Sequence, residues 1–81
     1  MENTQEYKSS DFYQAVVLKT VGFPLIRLER SGGQRFFFVF IDSNFTAQKT
    51  IEKYWNHEIK VDAKEFIENI NELKTRIHSG A

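Results

Sequence analysis

RFFFVFID, residues 35–42, holds four of the chain's eight phenylalanines, and from Phe36 to Ile41 it contains no polar residue. In an extended strand alternate side chains point to opposite faces. Phe36, Phe38 and Phe40 therefore line one face, and Phe37, Val39 and Ile41 the other. A strand apolar on both faces belongs at the centre of a sheet. Just upstream, Ser31-Gly32-Gly33 supplies the positive-φ tolerance that a tight connection needs. Before that, Leu25 to Arg30 alternates, with Ile26 and Leu28 set against Arg27 and Glu29, although Leu25 weakens the pattern. These segments predict an antiparallel β-hairpin with RFFFVFID as its second strand.

Helices are expected on both sides of the hairpin. Asp11 can cap a first helix over about Phe12 to Val21, with Gln14 at its third position and Ser10 as an alternative cap. Phe12, Ala15 and Val16 share one face and Tyr13, Val17 and Val21 a neighbouring one, so the apolar surface is broad. Gly22 suits the left-handed C-terminal position, and Pro24 forbids continuation. After the hairpin, Asp42 or Ser43 can cap a second helix carrying Phe45, Ala47, Ile51, Tyr54 and Trp55 and ending near Asn56. The third helix has the clearest start: Asp62 and Glu65 form an acidic capping box, and Val61 with Phe66 a hydrophobic staple. Phe66, Ile70, Leu73 and Ile77 then recur at spacings of four, three and four.

The order α-β-β-α-α gives an α+β fold, a single small domain in which an antiparallel β-hairpin packs against three helices. Its expected bounds are residues 10–78. Residues 1–9 read as a flexible arm and 79–81 as a disordered tail, since neither shows apolar periodicity. An 81-residue chain can hold only one core. The formal net charge is zero and there is no cysteine, so disulfides, thiol catalysis and a global basic attraction to nucleic acid are all excluded. The polar N-terminus and the lack of a long apolar run predict no signal peptide and no membrane anchor, hence a cytoplasmic protein.

The span from SSDFYQAVVL through RFFFVFID and YWNHEIKVDAKEFIENINELKTRI resembles a family of small uncharacterised prokaryotic and phage proteins, catalogued as a domain of unknown function. The resemblance covers about residues 10–78. It rests on Ser10-Asp11-Phe12-Tyr13, Phe38-Val39-Phe40, Tyr54-Trp55-Asn56, and Val61-Asp62-Ala63 leading into Leu73-Lys74-Thr75-Arg76-Ile77. It implies no reaction, cofactor or catalytic residue, and it suggests a prokaryotic or mobile-element origin.

No constellation points to catalysis. His57 and His78 end different helices without metal-ligand spacing, and Gly32-Gly33 lacks the following lysine of a phosphate loop. No enzyme activity and no cofactor are expected. Arg27, Arg30 and Arg35, with Gln34, make the hairpin locally basic and form a candidate nucleic-acid contact, though charged hairpin tips are also common protection against edge pairing. Tyr54, Trp55 and His57 combine aromatic and polar groups in the manner of a binding hot spot. Small domains usually spend their only tryptophan on the core, however, and the preferred reading packs one ring under the connection between the second and third helices, with Asn56 closing the helix.

Covering RFFFVFID decides the rest. Burying one Phe contributes roughly 1.5–3 kcal/mol against a whole-domain stability of about 5–15 kcal/mol, so neither face can stay wet. Either helices cover both faces, or the hairpin pairs with a second copy about a two-fold axis, and the second solution is favoured. The expected function is a small non-enzymatic protein–protein interaction module, homodimeric, a phage or mobile-element factor acting on a host protein. Phe37, Val39, Ile41, Tyr54, Trp55 and His57 are its candidate interface. The alternative is a nucleic-acid-binding regulator using the basic hairpin.

Overall fold

The computed structural model describes residues 5–33 and 35–79. The elements are β1 (Glu6–Ser9), α1 (Phe12–Val21), β2 (Leu25–Ser31), β3 (Arg35–Ile41), α2 (Ala47–Trp55) and α3 (Ala63–His78). The α+β class and the three helices agree with the reading of the sequence. The sheet has three strands rather than two, in the antiparallel order β1-β3-β2. Within the segment expected to be a flexible arm, residues 6–9 are a strand. Without β1, one edge of the central strand would leave its backbone groups unpaired, and Glu6 to Ser9 take up that edge, opposite Ile41 to Phe38. Four residues are too few to show a period of two, so this strand has no signature in the sequence.

The helix boundaries follow local chemistry. The Asp11 carboxylate accepts the Gln14 amide at 2.9 Å, and Asp62 accepts that of Glu65 at 2.9 Å, so both expected caps are present. Gly22 ends α1 at φ 116°, a backbone region that side chains disfavour. In β2 a register irregularity falls between Leu25 and Arg27. It turns Ile26 outward, 41% exposed, and lets Leu25 join Leu28 against the core. The expected inward position of Ile26 is thus corrected by a bulge, which shifts the side-chain alternation by one residue.

One core unites Phe38 and Phe40 with Ala15, Val16 and Leu18 of α1, Ala47 and Ile51 of α2, and Leu73 of α3. All three helices therefore serve the Phe36–Phe38–Phe40 face, so the less favoured of the two expected covers, helices on both faces, is not the one found. Buried Asn69 of α3 donates its side-chain amide to the Thr20 hydroxyl at 3.0 Å, a polar tie between α1 and α3. Thr20 in turn donates to the Val16 carbonyl at 2.7 Å, so the tie leaves no buried polar atom unsatisfied among the described residues.

The opposite face is roofed by charged side chains. Lys8 and Arg27 flank Val39 on either side. The Lys8 ammonium reaches over β3 to Glu29 at 3.0 Å, and the Arg27 guanidinium reaches back over it to both oxygens of Glu6 at 3.0 and 3.1 Å. Arg27 also donates from Nε to Glu29 at 2.8 Å. The two ties cross the central strand in opposite directions, and their aliphatic stems can lie along apolar surface while the charged heads stay wet. Beneath them Val39 is fully buried, while Phe37 and Ile41 are half-buried.

Candidate interaction surface at the end of α2

Helix α2 places few side chains in the core: only Ala47 and Ile51 are buried. Of the two caps expected for its start, Asp42 serves, but across a loop and not from the position immediately before the helix. Thr46 is the N-cap and makes no side-chain bond. Asp42, four residues earlier and buried, instead accepts the amides of Thr46 at 2.8 Å and Ala47 at 3.1 Å through one carboxylate oxygen. The loop between them holds Phe45 at φ 56°, outside the helix expected to carry it and 70% exposed. A bulky side chain at positive φ is a strained arrangement. Nothing in the pattern of DSNFT announces it.

At the other end, the Asn56 amide donates to the Glu52 and Lys53 carbonyls, each at 3.1 Å, and Glu58 to Lys53 at 2.9 Å. The chain turns through His57 at φ 61°, a conformation more tolerable to His than to most side chains. Asn56 closes the helix as expected. Trp55 does not enter the core: it is 65% exposed, and its ring meets that of Tyr54 edge-on at 5.5 Å. The reason is length. After Ala47 and Ile51, the last turn of α2 runs beyond the buried residues, so Tyr54 is half-buried and Trp55 and His57 are exposed.

The sequence candidates thus separate. Tyr54, Trp55 and His57 form one continuous surface at the end of α2. Phe37, Val39 and Ile41 lie on the sheet face, where Val39 offers no accessible surface. In the hairpin, Arg27 is held by two carboxylates and Arg30 sits over the Phe36 ring at 5.0 Å, a cation–π arrangement. Arg35 is exposed, and Gln34 lies outside the described residues. The Arg27 guanidinium holds the Glu6 carboxyl below the usual range. Lys8 first, and then Arg27, do the same for Glu29. The two acids reciprocally hold Arg27 more firmly protonated. Of the three hairpin arginines, Arg27 is therefore neutralised on the sheet itself, while Arg30 and Arg35 make no ion pair among the described residues. Among the described residues no group of three His, Asp or Glu side chains is arranged to hold a metal ion, and no helix is long and apolar enough to cross a membrane.

These features define a small α+β domain with an antiparallel three-stranded sheet, helices on one face and an ionic roof on the other. The chain belongs to the family described as Domain of unknown function (DUF5659), whose model matches residues 4–79. Neither a curated protein nor a solved structure matches it.

Proposed function

We propose that the chain is a small non-enzymatic interaction module that self-associates, and engages a protein partner, through the aromatic end of α2. The observation that carries this reading is the only tryptophan standing 65% exposed beside Tyr54. A side chain of that size is normally spent on the core of so small a domain, and Trp and Tyr are the side chains most enriched in binding hot spots. The sheet face supports association less well, because its apolar floor is already covered by the crossed ion pairs. A prokaryotic or phage origin, as the sequence resemblance suggests, would make a host protein the partner to seek.

The reading is tested through Trp55 itself, which is a site-specific fluorophore. Light scattering at micromolar concentration is expected to give the mass of a dimer, and the emission maximum to move to shorter wavelength as concentration rises. Trp55→Ala should be monomeric with an unchanged far-ultraviolet circular dichroism spectrum. A wild-type chain that stays monomeric with the emission of a solvated indole removes the self-association. If Trp55→Ala still dimerises and Phe37→Asp does not while remaining folded, the interface is the sheet face.

A further inference from the structure

We propose that the cleft between α2 and the α1–β2 turn binds a small amphipathic carboxylate. The cleft is about 470 Å³, within the usual size of a small-molecule site, and its walls come from separately anchored segments. On one side the turn is fixed by the Phe23 amide donating to the Leu18 carbonyl at 3.0 Å and by the Pro24 carbonyl accepting the Ile41 amide at 2.9 Å. On the other side Asp42 anchors the start of α2, and the Thr50 hydroxyl donates to the Thr46 carbonyl at 3.0 Å. A ligand would meet a preformed surface.

The lining has two characters. Phe23, Pro24, Ile41 and Ile59 form an apolar wall, and Thr46, Thr50 and Lys53 form a polar row. The row follows from their spacing of four and three, which puts them on one face of a helix. Two lining side chains carry charge. The Asp42 carboxylate is buried against the amides at the start of α2. Lys53 is exposed and makes no ion pair among the described residues. The accessible charge in the cleft is therefore positive, beside an apolar wall and hydroxyl groups. An alkyl or aryl body against Phe23, Pro24 and Ile59, with its carboxylate toward Lys53, matches both characters, whereas an amine would meet the ammonium. Trp55 does not line the cleft, so this inference stands independently of the association proposed above.

The test is an NMR titration of the ¹⁵N-labelled chain with octanoate, using octylamine and octan-1-ol as probes of the same alkyl length. Octanoate is expected to give saturable shifts in the amides of Gly22, Phe23, Ile41, Thr50, Lys53 and Ile59, and to bind more tightly than either comparison compound. Lys53→Gln, an exposed substitution that leaves the fold intact, should weaken octanoate about fivefold, the upper end for an exposed ion pair, and leave octanol unchanged. Four results overturn the proposal: no saturable shift at millimolar octanoate, shifts centred elsewhere, octylamine or octanol binding as tightly, or Lys53→Gln binding octanoate as wild type does.

Discussion

Two residues carry most of what is unusual in this molecule, and both concern where an aromatic ring goes. Trp55 follows a helix past the end of the core. Phe45 is held at φ 56° with its ring largely in water, so the backbone is strained without compensating burial. Replacing a non-glycine residue at positive φ by glycine relieves about 1–2 kcal/mol, offset in part by the greater freedom glycine has when unfolded. Phe45→Gly is accordingly expected to stabilise the chain by about 0.5–1 kcal/mol, a rise of a few degrees in the thermal midpoint. A lower midpoint in calorimetry would show that the ring braces the loop. A stabilised variant that loses self-association would instead mark Phe45 as part of the binding surface.

Among the elements, α2 depends most on a single side chain. It buries two residues, against four in α1, and its first amides are satisfied by Asp42 from across the loop. Asp42→Ala removes that acceptor and should cost about 1–2 kcal/mol, the upper part of the range for loss of a helix cap. The cost should be local. Hydrogen exchange is expected to accelerate first in α2, while α1 keeps its protection. Uniform acceleration across all three helices would mean that α2 does not open separately. Capping explains why α1 and α3 were legible in the sequence where α2 was less so. Asp11 and Asp62 lie at the helix starts they serve, whereas Asp42 reaches its amides only because the loop folds back.

At the scale of the whole molecule, the crossed ties of Glu6, Lys8, Arg27 and Glu29 couple the sheet to pH and salt. Glu6 and Glu29 have folded pKa values below the usual 4.5. Their contribution is therefore fully present above the unfolded carboxylate pKa and is lost as pH falls through the lower folded value. The urea midpoint should be insensitive to these groups above about pH 5 and decline below the ordinary carboxylate range. Arg27→Met should flatten that acid limb, since it removes a partner of both acids, and concentrated salt should do so in part because the pairs are solvent-exposed. An acid limb unchanged in Arg27→Met would assign it to other carboxylates. The same ties do within one chain part of what a second cover would do: long charged side chains on the flanking strands bury Val39, while Phe37 and Ile41 stay half-buried.

What the sequence by itself determined is local. The two-faced strand at residues 36–41, the hairpin turn, the aspartate caps of α1 and α3 and the glycine stop at residue 22 each depend on residues a few positions apart, so their chemistry is written in order along the chain. What only the tertiary structure decided is which distant groups meet. Strand β1 exists because β3 has a free edge, the bulge at Ile26 because Leu25 and Leu28 are both drawn to the core, and the roof because β1 and β2 lie on opposite sides of β3. Trp55 is outside the core for the same kind of reason: helical periodicity gives its direction, but only the packed molecule sets how far the core extends beneath it. RFFFVFID names the centre of the fold; the three helices cover one of its faces, and charged side chains of the two flanking strands roof Val39 on the other.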